Sequence, residues 1–360
     1  MKKPTSNDVA KLAGVSQAAV SLILNGSDKI TFSQETRDRV FEAARQLGYQ
    51  LPPRKKREKH APRILLVFTP TLTNSYYSEL VQHVEEYAES LGYHVNVCNT
   101  FRNPDLERYY LDTQVTGHVA GIIYSFLPSF PRLVEEIATS IPAVIIGEKQ
   151  EDLSLCSVGL NNAYAGAMLA EHLYNLGHRH IAFLSTPLDQ FTMARSQRLE
   201  GVRRQMELYG IGQNLEIIIA DHREQDSGAQ GGMPYEYAVG RNLASRFLKG
   251  DYKATALIGV NDMTALGIVA ELAASGCRMP QDYSVCGFDN IFSSNVTTPG
   301  LTTIDHHLRA RCHAAAEMLI NPASLPRMMQ GFEDMPLVNK IEYTPRLVIR
   351  QSTGLCRKQE

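Results

Sequence analysis

Along residues 5–48, apolar side chains recur at three- and four-residue spacing in three short runs. Each run opens on Ser or Thr and closes near a glycine, so the pattern predicts three helices. The first runs from a Thr5/Ser6 cap through Val9, Leu12 and Ala13 to Gly14. The second starts at Ser16, sets Val20, Ile23 and Leu24 on one face, and stops at Asn25-Gly26. The third follows Ser33, buries Val40, Ala44 and Leu47, and ends at Gly48. Only "AGVS" links the first two, which forces a steep crossing, the geometry of a helix-turn-helix.

From Arg63 the period changes. Short β-rich runs, "RILLVF", "HVNVCN", "GIIYSF", "AVIIG", "CSVGL", "HIAFLS", "LEIIIA", "TALIGV", "YSVCGF" and "LTTID", alternate with helical patterns. That alternation predicts parallel sheets covered by helices, and so many strands predict two α/β lobes rather than one sheet. Ligands of such sheets sit beyond the C-terminal strand ends. Those ends carry Asn74, Tyr76 and Tyr77, then Ser125 and Phe126, Asn161, Asn261-Asp262, Asp289-Asn290 and Asp305-His306. Amides, carboxylates and aromatics suit a polyhydroxylated or heterocyclic small molecule.

Charge separates the two regions. Residues 1–60 hold 12 Lys/Arg against 6 Asp/Glu, and residues 61–360 hold 24 against 32. A basic head on an acidic body suggests that the head alone meets a polyanion. On the second helix, Gln17, Ala18, Ser21, Leu22 and Asn25 lie opposite the little core and are the candidates for a major groove. Gln17 can pair both groups of an adenine edge, while Ala18 and Leu22 match a thymine methyl; Ser16, Ser21 and Asn25 suit phosphates. The head also fits a protein-docking module, though its charge favours DNA.

Catalysis finds no support in the motifs: the chain has no phosphate loop, G-x-G-x-x-G after a strand, G-x-S-x-G or H-E-x-x-H. We therefore expect neither an enzyme nor a cofactor. "HRH" at 178–180 and "HH" at 306–307 lack a third ligand at metal spacing and read as polar surface. The six cysteines are scattered and fit reduced thiols. Without a signal-peptide pattern or an apolar span, a cytoplasmic protein with no membrane contact is expected.

"DVAKLAGVSQAAVSLILNG" followed by "SQETRDRVFEAARQLGY" resembles the head of the LacI/GalR family of bacterial transcription regulators, and the resemblance continues through the body. It implies an all-α helix-turn-helix head plus an α/β two-lobed, periplasmic-binding-protein-like core with parallel sheets. The implied domains are a head at 1–50, a basic linker at 51–62 and a core at 63–355. Lobe one would cover about 63–176 and 305–332 and lobe two about 178–303 and 336–352, with crossings near 176–179, 302–306 and 330–338. By the same resemblance "TNSYYSEL" and "RLEG" would meet an effector, and so would "NDMTALG" and "GFDN". Arg198 and Asp289 would be its polar anchors, Tyr76 or Tyr77 a stacking face, with Asn74, Ser125, Asn161, Asn261 and His306 around them. Arg198 also fits an ordinary helix-start arginine, and Asp289-Asn290 an ordinary turn.

Two departures stand out. Family members follow "LGY" with a hinge helix whose leucine wedges into the minor groove, whereas this chain has "QLPPRKKREKHAP" and no leucine between Leu51 and Leu65. Arg54, Lys55, Lys56 and Arg57 would instead neutralise phosphates or enter a narrow minor groove, or else form a solvated tether. Leu22 stands where a polar or basic residue is common, which implies an operator of different sequence. The expected protein is a homodimeric, effector-switched repressor of a pseudo-palindromic operator. Its ligand would be a sugar or sugar derivative first and a purine second. The rival readings are a solute receptor, which the head opposes, and a sugar- or nucleotide-processing enzyme, which the missing motifs oppose.

Overall fold

The three apolar runs of the head become α1 (Ser6–Ala13), α2 (Gln17–Leu24) and α3 (Gln34–Gln46). At the start of α1 the Asp8 carboxylate accepts from the Thr5 N–H at 2.8 Å and from its hydroxyl at 2.7 Å. The helix ends at Gly14 in the left-handed region, φ 67°, which a side chain would disfavour. Ser16 and Ser33 accept from the N–H groups of Ala19 and Thr36, satisfying donors that the next two helices leave open. Val9, Ala10, Ala13, Val20, Ile23, Val40, Ala43 and Ala44 form the core. Leu12 is not among them and is 52% exposed. Val9, Ala10 and Ala13 span about 100° of the helix, and Leu12 falls on its flank.

In this computed structural model the described residues are 4–24, 32–49, 63–188, 193–221, 233–321 and 338–356. They fall into two units, Met1–His60 and Ala61–Glu360. The second unit contains two six-stranded sheets.

The first sheet comprises β1 (Ile64–Thr69), β2 (His94–Asn99), β3 (Val119–Tyr124), β4 (Ala143–Ile146), β5 (Cys156–Leu160) and β11 (Lys340–Tyr343). Its order is β2-β1-β3-β4-β5-β11, all parallel. The helices α4 (Ser75–Ser90), α5 (Pro104–Gln114) and α6 (Pro131–Ala138) follow its first three strands. Because side chains alternate along a strand, Leu65, Val67 and Ile123 meet Leu80 and Val84 of α4 on one face, while Leu66, Phe68 and Tyr124 meet Leu111 and Val134 on the other.

Next come α7 (Asn162–Asn175), β6 (Ile181–Ser185), α8 (Met193–Leu208), β7 (Leu215–Ile219), α9 (Tyr235–Lys249), β8 (Ala256–Gly259), α10 (Asp262–Ala274), β9 (Ser284–Asp289), α11 (Phe292–Val296), β10 (Thr302–Asp305), α12 (Leu308–Ile320) and β12 (Arg346–Val348). The second sheet runs β7-β6-β8-β9-β10-β12, with only β12 antiparallel. Both sheets reverse direction of growth beside their first strand, the switch point where a crevice opens.

All ten expected strands form; β11 and β12 are additional. The lobe boundaries differ from the expected ones. The residues Ala165, Leu169 and Leu173 of α7 pack with Ile181 and Phe183, so the first crossing falls at Leu160–Asn162 rather than near 176–179. Strand β11 pairs with β5, so the last crossing lies between Tyr343 and Arg346 rather than at 330–338, which lies almost wholly outside the described residues. The middle crossing follows β10, after which α12 packs under the first sheet. No described helix is long and apolar enough to cross a membrane.

Candidate functional site

The C-terminal strand ends of both sheets line one cleft of about 850 Å³, solvent at its mouth included. Of the expected effector residues, Asn74, Tyr76, Tyr77, Ser125, Arg198, Asn261, Asp289 and His306 line it. Asn161 does not: it is exposed and caps α7, its Oδ1 accepting from the Tyr164 N–H at 2.9 Å. The next residue, Asn162, turns inward and lines the cleft instead. Successive helical residues point about 100° apart, which separates the cap from its neighbour.

Asn74 and Asn261 cap α4 and α10, their Oδ1 atoms accepting from Tyr76 and Thr264 N–H groups at 3.1 and 2.8 Å. Their amide NH2 groups are what remain for a ligand. Ser125 donates to the Phe68 carbonyl at 3.0 Å and keeps its lone pairs available.

Arg198 is 8% exposed, and each of its three nitrogens has a partner. Its Nε donates to Asn162 Oδ1 at 3.0 Å, one terminal nitrogen to the Val260 carbonyl at 2.7 Å, and the other reaches Asp289 Oδ1 at 3.3 Å. The same Asp289 oxygen lies 3.4 Å from His306 Nδ1. Burial, offset in part by Arg198 and Arg195, pushes the Asp289 carboxyl up. Burial, reinforced by the charges of Arg198 and Arg311, holds His306 well below its ordinary value and therefore neutral. Behind them Asp262 accepts from the Thr303 and Ser294 hydroxyls, each at 2.6 Å, and from the Ile291 N–H at 3.2 Å. Burial beside Asp289 raises that carboxyl too. The network is a buried, mutually bonded arrangement of donors and acceptors suited to hydroxyl groups.

Among the described residues, the non-glycine positions with positive φ are Phe101, Arg102, Asp289, Asn290 and His307. Asp289, at φ 117°, and Arg102, at 56°, line the cleft, and the others adjoin a lining residue. Such backbone strain costs about 1–3 kcal/mol per residue and concentrates at ligand clamps.

Sequence reasoning missed Arg102, Arg195, Arg311 and Glu148, all of which line the cleft. No spacing marks them, since arginines and glutamates occur along every exposed helix. The polar-surface reading of the histidines also fails: His178 and His306 are each 2% exposed, and His178 bonds the Thr255 and Ser284 hydroxyls at 2.8 and 3.0 Å. No group of metal-ligating side chains comes together among the described residues.

In the head, Ser16, Gln17, Ala18 and Ser21 are exposed and Leu22 is half-buried. The Gln17 amide donates to Ser6 Oγ at 3.0 Å, tying the first turn of α2 to α1. Asn25, Arg54, Lys55, Lys56 and Arg57 lie outside the described residues.

Residues 5–51 match the family described as bacterial regulatory proteins, lacI family, and residues 170–353 match the periplasmic binding protein-like domain. The HTH-type transcriptional regulator DegA of Bacillus subtilis is 30% identical over 98% of each chain. Among solved structures, a LacI family transcriptional regulator from Enterococcus faecium with bound ribose superposes with a TM-score of 0.67 at 21% identity, covering 82% of this chain and all of that one. The lac repressor dimer bound to operator and an anti-inducer gives 0.67 at 24% identity, covering 98% of this chain and 100% of that one. The relatives are transcription regulators, not enzymes.

Proposed function

We propose, from the premise that this chain belongs to the lacI family of bacterial regulatory proteins, that it is a cytoplasmic homodimeric repressor switched by a small molecule held between its two lobes. That it is a DNA-binding transcription regulator follows from the family. The observation that carries the rest is the Arg198–Asn162–Asp289–His306 network, built in the cleft of a chain that also has a helix-turn-helix. In this reading the head occupies 1–50, a basic linker 51–62 and the sensor core 63–355.

A ligand that bonds Asn74 and Ser125 from the first lobe and Arg198, Asn261 and Asp289 from the second stabilises one degree of lobe closure over others. Closure shifts the spacing of two recognition helices in the dimer, and operator affinity changes with it. Gln17, Ala18 and Leu22 read base edges, and Gln17 exchanges its bond to Ser6 for an adenine. The ligand class is a sugar or sugar derivative, which the hydroxyl-matching network and the ribose-bound structural neighbour support; a purine is the second choice.

Selection of bound sequences from random duplex DNA, with the full-length protein at fixed salt, tests the DNA side. Enrichment of an inverted repeat with half-sites about one helical turn apart is expected. Recovery of no consensus, or of single unpaired half-sites, contradicts the dimeric operator reading.

A further inference from the structure

The cleft holds more cationic charge than a neutral sugar needs. Arg198 is matched by Asp289 at 3.3 Å. Arg102 follows β2 in the first lobe and Arg195 opens α8 in the second, and the two converge on a single carboxylate, Glu236 of α9. Their distances to it, 3.8 and 3.7 Å, are too long for hydrogen bonds. Glu236 is itself buried, its side chain 2% exposed, and Arg195 is 14% exposed, whereas Arg102 at 38% reaches solvent from the cleft wall, so two guanidinium groups share one buried counter-charge.

Arg195 feels the crowding: burial, followed by the neighbouring Arg102 charge, lowers its guanidinium from the ordinary value. Its one hydrogen bond of ordinary length among the described residues goes to the Thr186 hydroxyl, a neutral acceptor, at 2.6 Å. Arg311, unlike Arg102, Arg195 and Arg198, has no carboxylate within ion-pair distance among the described residues. It is 3% exposed, donates to the Val158 carbonyl at 3.1 Å and to Tyr76 at 3.5 Å, and its Nε has no hydrogen-bond partner. The remaining carboxylate, Glu148, is held by the Asn162 amide at 3.0 Å and forms no ion pair among the described residues. Four guanidiniums thus line the cleft against two lining carboxylates, Asp289 and Glu148, with Glu236 and Asp262 buried behind them.

An uncompensated buried cation is expensive, and its cost falls when an anion with matching oxygens arrives. Planar guanidiniums take carboxylate or phosphate oxygens two at a time, which hydroxyl groups cannot match. We propose that the effector is an anionic monosaccharide, whose hydroxyls meet the Arg198–Asp289 network and whose single carboxylate or phosphate seats between Arg102 and Arg195. This rests on the sugar-sensor reading above and adds to it the charge and the place where the charge binds. Because those arginines come from opposite lobes, the anion also bridges the cleft, so the group that confers specificity is the one that draws the lobes together.

Calorimetry on the full-length protein tests this with glucose and ribose, their charged counterparts glucose 6-phosphate, ribose 5-phosphate and glucuronate, and adenine. Binding of a phosphate probe or of glucuronate at least about tenfold tighter than its neutral counterpart is expected, and which of them binds identifies the anion. In R102Q and R195Q the charged probe should weaken by about tenfold or more while any neutral binding persists. Equal or tighter binding of the neutral sugars, no binding of any charged probe, or an equal loss of charged and neutral sugars in R102Q, as a mere latch to Glu236 would give, overturns the inference. Binding of adenine alone overturns the sugar reading itself, whereas neutral-sugar binding leaves that reading standing.

Discussion

Gly166 of α7 packs directly on the carbonyl oxygen of Arg198, where any side-chain carbon would overlap it. Gly201 of α8 makes the reciprocal approach to the carbonyl of Ala163. These two approaches bring the helices close enough for Asn162 and Arg198 to bond at 3.0 Å. Gly166→Ala must push α7 and α8 apart, at a cost of about 1–3 kcal/mol, as measured by urea denaturation. It should also weaken effector binding without altering how the head binds DNA.

Asp289 is buried and depends on Arg198 for its charge partner. Arg198→Ala leaves that carboxylate uncompensated, and a loss of about 3–5 kcal/mol in core stability is expected. The double variant with Asp289→Asn should recover part of the loss, since neither charge then remains buried alone. A thermodynamic cycle over the two substitutions gives the coupling directly.

His306 is kept neutral by burial and by Arg198 and Arg311. Below about pH 6.5 the unfolded chain binds a proton at this residue that the folded chain refuses, so stability falls as pH drops. The slope from this group approaches about 1.4 kcal/mol per pH unit. Denaturation at pH 7 and pH 5.5 should show that His306→Gln, which cannot take up the proton, has the shallower pH dependence.

Much of this arrangement was legible in the sequence because it rests on local patterns. Caps at Thr5, Ser16 and Ser33 and the alternation of strands mark the elements, and polar residues at strand ends mark most of the cleft. What escaped depends on packing between residues distant along the chain. The register of Asn161 and Asn162 is decided by where α7 starts, and the lobe that α7 joins is decided by the packing of Leu169 and Leu173. Strand β11, with its exposed Lys340 and Glu342, carries no buried apolar run to announce it. Arg102, Arg195 and Arg311 become a group only when both lobes and α12 assemble around the cleft.

The basic segment between head and core is expected to act on DNA affinity through its charge. Replacing Arg54, Lys55, Lys56 and Arg57 by Gln should weaken operator binding and reduce the slope of log K against log salt by about 0.9 for each phosphate no longer neutralised. An unchanged slope, measured by fluorescence anisotropy at several salt concentrations, would identify the segment as a solvated tether.

The central claim is that occupancy of the cleft and affinity for DNA are one coupled equilibrium. The direct measurement is the operator affinity of the full-length protein, by fluorescence anisotropy on a selected duplex at fixed salt, with and without a sugar already shown by calorimetry to bind. A shift of about 5- to 150-fold in either direction is predicted, with the shift abolished in Arg198→Lys. A sugar that saturates the cleft and leaves operator affinity unchanged would contradict the account.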